Sequence, residues 1–182
     1  MNMSINCINN ENLIVTVKIK PWLKEFLQCR FGDPVLALSK NMPGVLIASL
    51  VEYTPEGYVP EKYLPDESMD VDIPRDLAFS APRSDLGNIY LPKLNQIRFE
   101  SSVSVIFKDE LFYFLDDKIR YEGKHRSSNM KDCIYQFCID NKVRYNHIQY
   151  ENLKKMYYRY RQSHEIAKKR GRILSLVSPL IF

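Results

Sequence analysis

Glycine is scarce in this 182-residue sequence, which has 6 glycines against 10 prolines. The glycine spacings of dinucleotide-binding and phosphate-binding loops do not occur, which argues against nucleotide-binding enzymes of those classes. The four cysteines, Cys7, Cys29, Cys133 and Cys138, are too few and too scattered for a disulfide framework. The first residues lack a secretory signal, and the apolar runs are far shorter than the roughly 20 residues that a membrane span needs. We therefore expect a soluble, reduced, cytoplasmic protein that has no membrane partner.

Histidine is also scarce, and the three copies show no pattern that would bind a metal. His125, His147 and His164 lie at no ligand spacing from one another or from a carboxylate, and Cys133 and Cys138 are five residues apart rather than three. We expect no cofactor, no metal and no catalytic residue. A weaker alternative is a magnesium-dependent nuclease that uses carboxylates from the set Asp66, Glu67, Asp70, Asp72, Asp76 and Asp85.

The first part of the chain predicts a small sheet with helices. Alternating apolar residues predict a strand over Leu13–Lys20, and Pro21 then starts an amphipathic helix that Gly32 ends. Met69, Val71 and Ile73 alternate with aspartates as in a further strand. Two segments stay open: 35–38 either pairs with the first strand or lies under the helix, and 45–53 forms either a strand or two helical turns. Residues 74–91 read as a long loop.

A helical apolar stripe begins at Leu94. It comprises Leu94, Ile97, Val103, Phe107, Leu111, Leu115 and Ile119. Phe112, Tyr113 and Phe114 make this segment apolar almost all round, so we expect a central helix buried between the sheet and the C-terminal part of the chain. The polar stretch 121–129 has the composition of a connector. The fold class is therefore α+β, with a small N-terminal sheet and helices, followed by a helical basic C-terminal module.

Charge divides the chain sharply. Residues 1–117 hold 11 Lys and Arg against 17 Asp and Glu, a net charge of −6, whereas residues 118–182 hold 15 against 5, a net charge of +10. Concentrated positive charge favours polyanionic partners, among which nucleic acid is the most common inside cells. We divide the chain into an assembly or interaction domain at 1–120, a basic module at 121–172 and an apolar tail at 173–182.

The basic module predicts two helices. Met130, Ile134, Phe137 and Cys138 share one face of a short helix that ends at Asn141. After a turn, Asn146 is placed to cap a longer helix, with Gln149 in the capping-box position, and that helix extends to about Arg170. The predicted packing face of the longer helix consists of Leu153, Met156, Tyr157 and Tyr160.

A short apolar helix, a turn and a longer basic helix resemble the helix-turn-helix class of DNA-binding domains over Met130–Arg170. The resemblance implies double-stranded DNA as the partner and the second helix as the element that enters the major groove. The nucleic-acid-binding candidates are the polar and basic side chains Asn146, His147, Lys154, Lys155, Tyr158, Arg159, Arg161, Gln162, Lys168, Lys169, Arg170 and Arg172. The interleaved tyrosines and arginines of 157–161 also suit stacking on single-stranded bases, and they equally suit an ordinary bundle helix with solvated charges.

The apolar tail is the second functional candidate. Left exposed, it would form a sticky patch, so it either folds back, as an edge strand for example, or docks into a partner. The docking candidates are Leu176, Leu180, Ile181 and Phe182.

The favoured function is a non-enzymatic DNA-binding accessory or regulatory protein, for example of a phage or mobile element. The alternative is a structural or interaction protein, such as a virion component, that docks or self-associates through this tail.

Overall fold

The computed structural model of the chain describes residues 13–38, 40–55, 57–59, 61–74, 89–122, 129–147 and 150–177, and their side chains except those of 119–122, 147 and 166–177. The architecture is α+β, as the sequence predicts. In chain order the elements are β1 (Leu13–Lys18), α1 (Pro21–Phe31), β2 (Val35–Leu36), α2 (Met42–Leu50), β3 (Glu52–Tyr53), a 3₁₀ turn (Pro65–Glu67), β4 (Ser68–Ile73), β5 (Ile89–Tyr90), α3 (Lys93–Glu122), α4 (Met130–Asp140), a second 3₁₀ turn (Tyr145–His147) and α5 (Tyr150–Val177).

The larger sheet has the order β1–β4–β2. Strands β1 and β4 are antiparallel, with Val15 opposite Val71, and their alternating apolar side chains are buried. On the other face, Thr16 Oγ1 donates a 2.8 Å hydrogen bond to Asp70. Strand β2 runs parallel to β4, which lies between β2 and β1, so of the two alternatives for 35–38 the pairing with the first strand is wrong. Strands β3 and β5 form a separate antiparallel pair.

The first helix follows its sequence signals. Pro21 occupies the first turn, where its missing N–H costs no hydrogen bond, and Gly32 ends the helix at φ 88°. Leu23, Phe26 and Leu27 are fully buried at helical spacing. The predicted helix between Pro21 and Gly32 is therefore confirmed.

Segment 45–53 takes the helical alternative and ends in a short strand. Helix α2 begins after Asn41, whose Oδ1 accepts hydrogen bonds from the backbone N–H groups of Gly44 at 2.8 Å and Leu38 at 2.9 Å. The asparagine Nδ2 donates to the Leu36 carbonyl at 2.8 Å. This cap satisfies backbone groups on both sides of the turn that joins β2 to α2.

The long helix α3 buries a different stripe at its start from the one predicted. Phe99, Val103, Phe107, Leu111 and Leu115 are fully buried, but Leu94 and Ile97 are 60% and 57% exposed. One turn before Phe99 the core position belongs to Asn95, whose Nδ2 donates to the Leu50 carbonyl at 2.8 Å. Helix α3 packs between the sheet and α4 as expected, but Tyr113 is 77% exposed, so one side of this largely apolar segment meets solvent.

One hydrophobic core connects the sheet to the basic part of the chain. The Phe107 ring on α3 lies 4.6 Å from that of Trp22 and 5.1 Å from that of Phe26, both on α1. The same ring lies 5.5 Å, edge-on, from Phe137 on α4. These edge-to-face contacts join three helices around a single side chain.

Candidate nucleic-acid interface

Helix α4 lies where the sequence predicts it. Asn129 caps it, because its side chain accepts a hydrogen bond from the Lys131 N–H at 3.3 Å, and Asn141 follows its last residue. Ile134, Phe137 and Cys138 are buried as expected, and Cys133 is buried as well. Burial raises the pKa of the Cys138 thiol to about 11, with a further contribution from the negative charge of Glu25. Cys133 and Cys138 thus both belong to the buried face of α4.

The connection between α4 and α5 departs from the predicted cap. Lys142 turns the chain with a φ of 53°, and Asn146 lies inside the 3₁₀ turn Tyr145–His147. Helix α5 begins at Tyr150, four residues after Asn146, so the prediction that Asn146 caps this helix is wrong. Residue 149, the predicted capping-box partner, lies outside the described residues. The residues before α5 form a 3₁₀ turn, so the helix starts later than the capping pattern predicts.

The inner face of α5 is formed by Leu153, Tyr157 and Tyr160. Leu153 and Tyr157 are buried and Tyr160 is half-buried, whereas Met156, which was predicted to pack with them, is 38% exposed. The Tyr157 hydroxyl donates a 2.7 Å hydrogen bond to Asp116 Oδ1 on α3. Burial and this hydrogen bond to a carboxylate both raise the pKa of Tyr157. Tyr157 thereby fixes the rotation of α5 about its axis.

The opposite face of α5 is polar and basic. Lys155, Tyr158, Arg159 and Gln162 are all exposed, and at 100° per residue they fall within a sector of about 100° centred opposite Leu153. We call these four residues the outer face of α5. Among the residues that the structure describes, neither Lys155 nor Arg159 forms an ion pair. Both cations are thus available to an external anion.

Two other predicted residues of α5 border this face and already have partners. Lys154 Nζ lies 3.9 Å from Glu151 Oε1, and it also lies 5.6 Å from the Tyr150 ring centroid. Arg161 Nη2 lies 4.0 Å from Glu165 Oε1. Each pair is one helical turn apart and solvent-accessible, so each is weak and can open when an anion approaches.

The remaining predicted nucleic-acid residues are only partly described. Asn146 is exposed on the 3₁₀ turn, and the backbone of His147 belongs to the same turn while its side chain lies outside the described part. Helix α5 extends to Val177, seven residues beyond the predicted end. Its backbone therefore includes four further candidates whose side chains lie outside the described part, Lys168, Lys169, Arg170 and Arg172.

The start of the apolar tail is helical. Residues 173–177 continue α5, so a fold-back of this part as an edge strand is wrong. Leu176 belongs to the helix, and its side chain lies outside the described part. Leu180, Ile181 and Phe182 lie outside the described residues altogether. Docking of the tail into a partner stays a prediction.

A pocket that sequence reasoning missed lies on the other side of α5. It is a cavity of about 800 Å³ bordered by α1, α3, α4 and α5, with Tyr160 and His164 contributed by α5. Its carboxylates are Asp109, Glu110, Asp117 and Asp140, and its aromatic rings are Tyr113, Phe114, Phe137 and Tyr160. The spacing of four residues between Asp109, Tyr113 and Asp117 is the sequence signal that could have indicated a shared surface on α3.

Among the described residues, no group of three or more His, Cys, Asp or Glu side chains could hold a metal ion. Likewise, no helix within these residues is both long and apolar enough to cross a membrane. Comparison of the chain with protein-family models, curated proteins and solved structures gives no match.

Proposed function

We propose that this protein binds double-stranded DNA through the outer face of α5, as a non-enzymatic accessory or regulatory protein. The observation that carries the proposal is the orientation of Lys155 and Arg159, which are exposed, unpaired within the described residues and opposite the buried Tyr157. The net charge of +10 over residues 118–182 supports it, because phosphate neutralisation supplies most of the affinity of non-specific DNA binding.

The helix-turn-helix resemblance belongs to this proposal. Helix α4, the turn around Lys142 and helix α5 stand in the order that such domains use. Helix α5 has 28 residues, a length of about 42 Å at 1.5 Å per residue. In the proposed complex, Lys155 and Arg159 contact phosphates or guanine edges, and Gln162 and Tyr158 contact bases or sugars. Arg161 and Lys154 contribute to the positive field at the sides of the same helix.

The experiment is a fluorescence anisotropy titration of duplex and single-stranded DNA at several salt concentrations. Wild-type protein should prefer the duplex, and its affinity should fall steeply as salt rises. The variant Lys155→Glu/Arg159→Glu should bind at least about tenfold more weakly, with a salt slope reduced by about 1 for each lost phosphate contact. The matched control is Lys40→Glu/Lys62→Glu, which makes the same change in charge at two exposed lysines far from α5 in sequence.

The outcomes separate the outer face from general electrostatics. If both double variants bind equally weakly, net charge rather than the outer face of α5 determines binding, and the proposal is wrong. A preference for single strands would replace groove docking with base stacking on Tyr158. Circular dichroism of each variant should match wild type, because all four substituted side chains are exposed.

A further inference from the structure

The pocket on the inner side of α5 combines an aromatic floor with a carboxylate rim. Phe137 is buried, and the Phe114 and Tyr160 rings are half-buried. Phe114 and Phe137 lie 5.5 Å apart, which makes them one continuous apolar surface. Asp109 and Asp117 on α3 are exposed and border the same cavity. We call the whole cavity the acidic pocket.

The charge of the acidic pocket is strongly negative. Four carboxylates face one guanidinium, that of Arg30, which is the sole arginine or lysine among the described residues that border the cavity. Arg30 is already committed, because it pairs with Glu110 and donates a 2.9 Å hydrogen bond to Asn141 Oδ1. Asp140 accepts a hydrogen bond from the neutral amide of Gln136 at 2.8 Å, which leaves its charge in place. Within the described part of the chain, Asp109, Asp117 and Asp140 form no salt bridge, so their charges can pair with the cations of a ligand.

Carboxylates beside aromatic faces recognise organic cations. The ring quadrupole attracts a cation over its face, and the carboxylate supplies the opposite charge. One such contact already exists at the edge of this floor, where the Lys118 ammonium lies 5.7 Å from the Phe114 ring centroid. Small metal cations would gain little here, since no three metal-ligating side chains of the described residues converge. The chemistry favours alkylammonium groups with apolar methylene segments between them.

The spacing along α3 indicates how many cationic groups the ligand carries. Asp109 and Asp117 are two helical turns apart, about 12 Å along the axis, and Tyr113 lies midway between them with 77% of its surface exposed. A cavity of about 800 Å³ is large enough for a flexible chain that reaches both carboxylates. We infer that the acidic pocket binds a linear aliphatic polyamine, with one ammonium near Asp109, another near Asp117 and the methylenes against Tyr113 and Phe114.

The test is isothermal titration calorimetry of spermidine into the full-length protein, without DNA, at about 0.15 M salt. Saturable binding with one site is expected. Asp109→Asn and Asp117→Asn should each weaken it about two- to fivefold, and the double variant about tenfold. Tyr113→Ala should weaken it by a similar two- to fivefold factor, whereas Tyr113→Phe should keep the affinity of wild type. Lys118→Gln should strengthen binding, because it removes a competing cation.

Controls distinguish a built site from a general attraction to negative charge. Asp66→Asn, which removes an exposed carboxylate outside the cavity, should leave the affinity unchanged. Magnesium ions at the same concentration should not displace spermidine. A weaker affinity in Asp66→Asn, displacement by magnesium, or unchanged binding in the Asp109→Asn/Asp117→Asn double variant would each overturn the inference.

Two further titrations test whether the ligand is a free polyamine or a protein, and whether its binding is independent of DNA binding. A tetralysine peptide carries the same ammonium groups on a protein backbone, and binding of that peptide without binding of spermidine would assign the pocket to a protein partner and overturn the polyamine. Lys155→Glu/Arg159→Glu should bind spermidine at least as tightly as wild type, because those side chains lie on the other side of α5. Loss of DNA binding in that variant therefore leaves this inference untouched.

Discussion

The hydroxyl of Tyr157 on α5 donates a 2.7 Å hydrogen bond to Asp116 on α3, and this contact sets the orientation of the basic helix. Because Tyr157 points inward, Lys155 and Arg159 point outward to solvent. On its inner side, α5 contributes Tyr160 and His164 to the border of the acidic pocket. Helix α5 therefore presents a basic outer face and contributes to an acidic cavity on its other side.

Removal of this hydroxyl should destabilise the protein with little effect on its shape. In Tyr157→Phe, Asp116 loses its donor but stays partly hydrated, so we expect the free energy of unfolding to fall by about 1 to 2 kcal/mol. Urea denaturation followed by circular dichroism measures the change. Tyr158→Phe is the matched control, since Tyr158 is exposed, and it should unfold at the wild-type midpoint. Equal midpoints for all three proteins would show that the hydrogen bond contributes no net stability.

The free energy of unfolding should fall as the pH becomes alkaline. The pKa of Cys138 is raised to about 11 by burial, and that of Tyr157 is raised by burial and by Asp116. The unfolded chain releases these protons at lower pH than the folded chain does. The free energy of unfolding should therefore be fully retained below about pH 8 and fall as pH rises from there toward 11.

The Cys138 contribution can be isolated by substitution. Cys138→Ala is expected to start from a lower stability because it leaves a small cavity, but to lose less stability between about pH 8 and 11 than wild type does. The raised pKa of this thiol corresponds to a loss of wild-type stability of order 2 kcal/mol over this pH range. If the stability of both proteins falls equally with pH, the Cys138 thiol does not contribute to the pH dependence. Urea midpoints measured at each pH provide the comparison.

Gly44 should tolerate no side chain. A Cβ on this residue would lie 1.9 Å from the Leu38 carbonyl oxygen, which is backbone and cannot rotate away. Gly44→Ala should therefore lower the free energy of unfolding by about 1 to 3 kcal/mol, despite the higher helix propensity of alanine. Thermal unfolding measures the loss. The control Ser49→Ala, on an exposed position of the same helix, should change the midpoint only slightly.

Arg30 should couple α1 to α3 through Glu110. Its guanidinium pairs with that carboxylate and lies 4.3 Å from the Phe26 ring centroid, and both charged side chains are 34% exposed. A double-mutant cycle with Arg30→Met and Glu110→Gln should give a coupling energy of about 0.5 to 1 kcal/mol, because solvent screens a pair of this exposure. A coupling energy near zero would mean that hydration replaces the pair at no cost.

Local patterns were sufficient for much of the N-terminal fold. The α+β class, strand β1, helix α1 with Pro21 and Gly32 at its ends, and strand β4 follow from residue periodicity and terminal signals. Helix α4 and its termini could be predicted for the same reason. The partner of β2 could not, because pairing with β4 depends on contacts more than thirty residues apart in the sequence.

The candidate interface was predicted in part. Helical periodicity over 153–162 predicted a basic helix that packs through Leu153, Tyr157 and Tyr160, and the structure places Lys155 and Arg159 opposite that face. Asn146 was misplaced because the 3₁₀ turn delays the start of α5. The acidic pocket was missed because its residues come from four helices that are distant in the sequence.

Local residue patterns specify the positions of α1 and α4, the alternation that buries one side of β1 and of β4, and the concentration of positive charge after residue 117. The helices and strands follow from residues that are only a few positions apart, and the charge follows from composition. Tertiary packing was needed to show that Met156 lies outside the buried face of α5, and that Asp109, Asp117 and Asp140 border one cavity with aromatic rings. Packing around Phe107, Phe137 and Tyr157 decides both, because a buried side chain admits one orientation of the helix that carries it.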